Sequence, residues 1–265
     1  MQKTSNNSGL FTGIVLVGSF IIAWLVYVFV LGNPNNFIDN NPNNAPKEGN
    51  FLGIVYKGGF IVPFLITMLL MVITVSIERF LTIGKAKGTG NVNQFVKKVQ
   101  YNLSNNDVDA AEKECDRQKG SVANVIKSGL KKYREMMGER TMAKDQRLLA
   151  IQKDVEESTA LELPMLERNL PVIATLAPLG TLTGLLGTVF GMIRAFAALA
   201  HAGAPDAVQL STGISEALIN TALGILTSSL AIIMYNVFTT RIDSLTYGID
   251  EAGYSLQQNF ASKNS

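Results

Sequence analysis

The chain of 265 residues has one cysteine, one histidine and one tryptophan. A single thiol, Cys115, excludes an intrachain disulfide, and no Cys/His spacing suits a zinc site. Cys115 therefore reads as an ordinary free thiol. Charge is also scarce, with Asp, Glu, Lys and Arg at 17% of residues against roughly 25% in soluble domains. The net charge of +2 is too small to argue for nucleic acid. There is no GxxxxGK[ST], no GxGxxG after a strand, no HExxH and no GxSxG. No nucleotide site, cofactor or catalytic centre is implied, so any work this protein does must draw its energy from elsewhere.

What the chain has is long apolar runs. Four stretches approach or exceed the roughly 20 residues that span a bilayer as a helix. They are "LFTGIVLVGSFIIAWLVYVFVLG" from Leu10, "GGFIVPFLITMLLMVITVSIERF" from Gly58, "PVIATLAPLGTLTGLLGTVFGMIRAFAALA" from Pro171, and "GISEALINTALGILTSSLAIIMYNVF" from Gly213. Only helices and closed barrels satisfy their backbone in lipid, so the chain reads as an all-α, polytopic helical membrane protein. The first run is longer than the core of about 7–15 residues in a signal peptide, and no small-x-small site follows it, so a retained helix is expected. Trp24 reads as packing. Glu78 and Arg79, at the far end of the second run, read as border residues that snorkel.

The connecting segments differ. Asn33 to Lys57 is rich in Asn, Pro and Gly and reads as an irregular loop. Residues 84–170 hold most of the Lys and Arg, which by the positive-inside rule makes them cytoplasmic. The expected organisation is an extra N-terminal transmembrane helix at 1–32, a periplasmic loop at 33–57 and a transmembrane helix at 58–83. A cytoplasmic helical domain at 84–170 follows. Transmembrane helices at 171–200 and 213–240 flank a periplasmic loop at 201–212, and 241–265 is a cytoplasmic tail. His201 reads as a solvated loop residue. In the cytoplasmic segment Phe95, Val99 and Leu103 recur every four residues on one helix face. Asn and Asp in "NNDVDAAEKECDRQ" are good N-caps. The mixed charges read as a solvated bundle face, with a basic patch on anionic lipid as the alternative.

Two spans carry patterns beyond hydrophobicity. In the third, Gly180, Gly184, Gly187 and Gly191 share one face, and small residues in lipid let helices approach closely. Thr181 and Thr188 lie beside that face, and both hydroxyls can bond back to their own helix. Pro178 breaks the ladder, so it is expected to face protein. In the fourth span Gly213, Glu216, Asn220, Gly224, Thr227, Ser228 and Ala231 fall on one side, with Thr221 at its edge. Leu218, Ile219, Leu226 and Leu230 fall on the other. A carboxylate within a span costs on the order of 2.5 kcal/mol or more, so it pairs or lines a pathway. Glu216 has three readings: an ion pair with Arg194, a proton or cation path continued by Asn220, Thr221 and Thr188, or a shallow hydrated acid. One helix pair encloses no pore, so a path requires oligomerisation or a partner.

"LAPLGTLTGLLGTVFGMIRAF", "GISEALINTALGILTSSLAIIMYNVF" and "ERFLTIGKA" together resemble the MotA/TolQ/ExbB proton channel family, and the ExbB branch most closely. The resemblance implies an inner-membrane proton-conducting subunit whose long pore-lining helices continue into a cytoplasmic helical bundle. It implies a homopentamer in the lipid bilayer around ExbD-like single-span subunits, driving a TonB-like protein and outer-membrane import. By position Thr188, Glu216 and Thr221 match the family's pore residues. A TolQ-like or MotA-like stator subunit and a non-conducting scaffold are the alternatives. The first helix is extra relative to a three-span plan. Asn220, Thr227 and Ser228 make the fourth span more polar than the usual Ala-rich version, which leaves room for sodium as the ion.

Overall fold

A computed structural model describes residues 5–200 and 207–263, with side chains from Leu10 onward. The expectation for His201 lies outside the described residues. The described chain is all-α, and its β pairing is one isolated bridge between Phe37 and Pro46. It divides into two compact units, Met1–Ile77 with Asn169–Tyr235, and Glu78–Arg168 with Asn236–Ser265.

The first unit holds the apolar helices. Helix α1, Ser5–Leu25, continues as one π-helical segment, Val26–Leu31. Its last carbonyls, at Val30 and Leu31, have no partner further along the helix. The Asn36 amide donates to both, at 2.8 and 3.0 Å. Asn50 then donates to Asn36 Oδ1 at 3.1 Å and caps α2, Phe51–Tyr56, by accepting from the Gly53 amide. Lys57 Nζ donates to the carbonyls of Pro42 and Asn43, and burial pushes its ammonium below the usual lysine range. The Asn-rich segment is a loop of short 3-10 turns that ends in α2, and its asparagines act as caps. Asparagine amides satisfy helix ends and turns as readily as they solvate coil, and composition does not distinguish the two uses.

The part of α3, Val62–Lys87, up to Ile77, with α8, Leu170–Ala200, and the first half of α9, Ala207–Lys263, completes this unit. Leu31, Val55 and Val62 form a buried cluster with Tyr27, Tyr56, Ile219 and Leu223 packed against it. Pro178 is exposed in the single chain and packs against no other helix of it. Residues two apart on a helix lie about 200° apart, so packing through Gly180 turns Pro178 outward.

The second unit is a helical bundle. It contains α4, Val92–Ser104, α5, Val108–Gln118, α6, Gly120–Gly138, α7, Lys144–Glu167, and the second half of α9. Phe95, Val99 and Leu103 are buried on α4, and Asp107 caps α5 by accepting from the Ala110 amide at 2.8 Å. On α9 the core-facing residues are Phe238, Ile242, Leu245, Ile249, Ala252, Leu256 and Phe260, all nearly inaccessible. Their spacings of four and three residues make an apolar seam. Tyr133 stacks edge-on against Phe260 and donates to Asn259 Oδ1 at 2.8 Å.

Arg79 corrects the snorkelling expectation. Its side chain is 1% exposed, and it donates to the Leu166 carbonyl at 3.1 Å and to Glu78 at 2.6 Å. The last carbonyls of α7 lack helical N–H donors, and a guanidinium can serve a carbonyl and a carboxylate at once. Arg79→Met should therefore lower stability by about 3 kcal/mol, the cost of orphaning buried polar groups, measured by thermal or denaturant unfolding. Cys115 is buried on α5, and desolvation, with Asp116 beside it, pushes its thiol up to about 12. A group raised this far stays protonated at pH 8, and the thiol is not the nucleophile. A maleimide reagent at pH 8 should leave the folded chain unmodified and label it fully once unfolded.

Candidate functional site

The site is built where α8 and α9 run antiparallel through the first unit. Four steps down one helix meet four steps up the other. A Cβ added at Gly191 would lie 2.7 Å from both the Ala217 nitrogen and the Gly213 oxygen. One at Gly184 would lie 2.9 Å from the Asn220 oxygen and 3.0 Å from Gly224 Cα. One at Gly180 would lie 3.2 Å from the Gly224 oxygen. Gly187 differs, because its missing side chain makes room for the Asn220 side chain rather than for backbone. All four glycines are buried.

This close approach sets the polar groups. Gly213, Glu216, Asn220, Gly224, Thr227, Ser228 and Ala231 are buried along α9, while Leu218 and Leu226 are exposed. Ser228 Oγ donates to the Ala177 carbonyl and accepts from the Thr181 amide at 3.0 Å, so it bridges one step of α8 just where Pro178 interrupts it. Thr227 bonds back to the Leu223 carbonyl at 2.9 Å.

Glu216 is 2% exposed, and both its oxygens accept from Arg194 Nη1, at 3.0 and 2.8 Å. The Arg194 side chain is 56% exposed in the single chain. The pair is therefore lopsided, an enclosed anion held by a cation that reaches outward. One turn along, Asn220 is fully buried and its Nδ2 donates to the Gly58 carbonyl at 2.8 Å. Thr188 and Thr221, both half-buried, bond to each other through their hydroxyls, and Thr221 also donates to the Ala217 carbonyl at 3.2 Å.

The polar residues singled out in the sequence thus fall into two groups. Arg194, Glu216 and Asn220 gather beside the start of α3, and Thr188 with Thr221 forms a separate hydroxyl pair at the edge of the α8–α9 contact. The roughly 100° between successive residues separates Asn220 from Thr221. Sequence reasoning missed Gly58 and Gly59, whose backbone touches both acidic and amide side chains. The signal was the adjacent glycine pair opening the second apolar run. Chemically, a buried carboxylate can take up and release a proton, and paired hydroxyls can pass one along by switching donor and acceptor.

A sequence profile of the MotA/TolQ/ExbB proton channel family matches residues 117–251, just over half of the chain. The chain belongs to this family. The matched stretch contains α8 and the polar half of α9. A Tol-Pal system protein TolQ from Pseudomonas aeruginosa is 29% identical over 124 residues, 47% of this chain and 54% of that protein. TolQ from Haemophilus influenzae is 38% identical over 94 residues, 34% of this chain and 41% of that protein. A biopolymer transport protein ExbB from Pseudomonas putida is 35% identical over 91 residues, 34% of this chain and 25% of that protein. The chain spans about half the length of the first of these relatives and less of the other two. The identities do not favour ExbB over TolQ, so the sequence resemblance to ExbB in particular is replaced by membership of the family as a whole. Four helical segments, within Leu10–Leu31, Gly59–Ser104, Lys144–Ala200 and Ala207–Lys263, are long and apolar enough to cross a membrane. The protein is a multi-pass protein of the bacterial inner membrane. Its family is one of channels and not of catalysts, and among the described residues no group of three His, Cys, Asp or Glu could hold a metal ion.

Proposed function

We propose that this chain is the multi-copy proton-channel subunit of an inner-membrane energy-transducing complex. The observation that carries the reading is Glu216, an almost inaccessible carboxylate on a membrane helix of a proton-channel family member. Buried intramembrane acids mark ion pathways or pairs, and Glu216 has both a partner and a nearby hydroxyl pair. Glu216 takes and releases the proton, Thr188 and Thr221 extend the path, and Asn220 orders the acid's surroundings. Arg194 holds the carboxylate between transfers. The glycines Gly180, Gly184, Gly187 and Gly191 set the helix spacing.

The partner system is TolQ-like or ExbB-like. The TolQ reading leads, because the two TolQ relatives align over 124 and 94 residues. In it the complex serves envelope integrity. The ExbB reading, with a TonB-like partner and outer-membrane import, is supported by an ExbB relative 35% identical over 91 residues. Either way the channel is an oligomer, a homopentamer in the favoured form, around a single-span ExbD-like subunit. Residues 84–170 and 241–265 lie in the cytoplasm, and 33–57 and 201–212 in the periplasm.

Two measurements test this. Native mass spectrometry of the complex expressed with its neighbouring genes should give several copies of this chain with a minority single-span partner; a lone monomer would overturn the reading. In proteoliposomes, Glu216→Gln should cut proton flux on the order of a hundredfold, the scale of losing an essential proton carrier. Unchanged flux with an intact complex would remove Glu216 from the path and favour a structural ion pair.

A further inference from the structure

We infer that Asn220 and the Gly58–Gly59 elbow form a latch that covers Glu216, and that the carboxylate becomes accessible from the side of loop 33–57 when the latch opens. The consequence for conduction rests on the proton-path reading; the latch itself does not.

The elbow is the tight connection between α2 and α3. Gly59 has φ of +75°, in the region that favours glycine. A Cβ there would press on Glu216 Oε1 and lie 3.0 Å from its Cδ and 3.5 Å from Arg194 Nη1. Backbone therefore lies directly against the carboxylate. At Gly58 an added Cβ would lie 2.6 Å from Val62 Cγ2 and 2.9 Å from Ile219 Cγ2. Gly59 is required by its positive φ, and the side chains of Glu216, Val62 and Ile219 pack close against the elbow. Arg194 covers Glu216 from α8, and the elbow covers it from α3.

One side-chain bond ties the elbow to α9, from Asn220 Nδ2 to the Gly58 carbonyl at 2.8 Å. The other half of that amide is unused. Asn220 Oδ1 is buried and has no hydrogen-bond partner among the described residues. A closed latch thus gains one hydrogen bond and leaves one acceptor unpaired, whereas opening lets water reach both ends of the amide. The unpaired acceptor leaves the closed latch weaker than a fully bonded amide would make it. The elbow also has a handle. The residue before it, Lys57, is tied by its ammonium to the Pro42 and Asn43 carbonyls at 2.9 and 3.1 Å, and its charge lies 5.5 Å from the centre of the Phe37 ring. A displacement of loop 33–57 is therefore passed to the backbone that lies on Glu216. Asn220 and Gly59 are positioning residues, acting through access to the acid.

The test is chemical access to Glu216 in the intact complex, reconstituted in vesicles. A water-soluble carbodiimide with a small amine is added outside, and modification at Glu216 is followed by peptide mass spectrometry. The unmodified sequence should label slowly. Asn220→Ala should label about tenfold faster, the population change for losing one buried hydrogen bond. Gly59→Ala should do the same, because a side chain at this positive φ strains the elbow out of its seat. Gly18→Ala, whose added Cβ meets nothing within 4 Å, should label at the original rate. Equal rates in Asn220→Ala, Gly59→Ala and the original would overturn the latch, and Gly59→Ala decides alone if Asn220→Ala does not assemble. Faster labelling with unchanged flux in Glu216→Gln would sustain the latch and sink the proton path.

Discussion

Gly191→Ala will separate α8 from α9. The added methyl would meet the Ala217 nitrogen and the Gly213 oxygen at 2.7 Å, and both are backbone atoms of a helix. A flexible side chain could rotate away from such a contact, but a helical backbone moves only as a unit. Overpacking a tight contact costs about 1–3 kcal/mol, and the upper end applies where nothing can yield. The thermal midpoint of the detergent-extracted protein should fall by roughly 5 °C or more. Gly187→Ala extends the reasoning, because its nearest contact is Asn220 Cβ, an atom that moves only with the α9 backbone. It should cost at least as much stability and also disturb the Asn220–Gly58 bond. Gly13→Ala and Gly18→Ala, with nothing within 4 Å, should stay within about 0.5 kcal/mol of the original. If Gly191→Ala matched those two, the close helix approach would be wrong.

The second large effect is an asymmetry. Arg194→Ala leaves Glu216, 2% exposed, without its cation; Glu216→Gln leaves Arg194, whose side chain is 56% exposed. Stranding a buried charge costs about 3 kcal/mol or more, while an accessible cation finds other company at little cost. Arg194→Ala should therefore greatly reduce the yield of folded complex, and Glu216→Gln should hardly change it. Adding Glu216→Gln to Arg194→Ala should restore most of the loss, since the double variant strands no charge. Folded yield by size-exclusion chromatography, with the coupling taken from the full double-mutant cycle, measures this. Equal losses in the two single variants would mean that Glu216 is not the enclosed partner.

These effects could be read to different depths from sequence. The division of α9 into a small polar side and a large apolar side was legible, because a helix repeats its faces every 3.6 residues. The glycine face of α8 was legible for the same reason. The α9 seam from Phe238 to Phe260 was also written in four- and three-residue spacings, although 241–265 read only as a cytoplasmic tail. Cys115 read correctly as a plain thiol, since a lone cysteine has no disulfide to form within its chain.

Other features had no local signature. Nothing in "ERF" tells whether Arg79 points to an interface or serves the Leu166 carbonyl, because that carbonyl comes from a helix end 87 positions away. The asparagines of 33–57 carried the composition of a coil, and only the placement of Val30, Leu31 and Gly53 made them caps. The sequence by itself determined that the protein is helical, crosses the membrane and carries one acid among small polar groups on a single helix face. Tertiary structure alone decided that Arg194 closes on that acid, that Asn220 turns to Gly58, and that Thr188 meets Thr221 instead. Periodicity assigns a residue to a face of its own helix, whereas its partner depends on the register and approach of another helix distant in the chain.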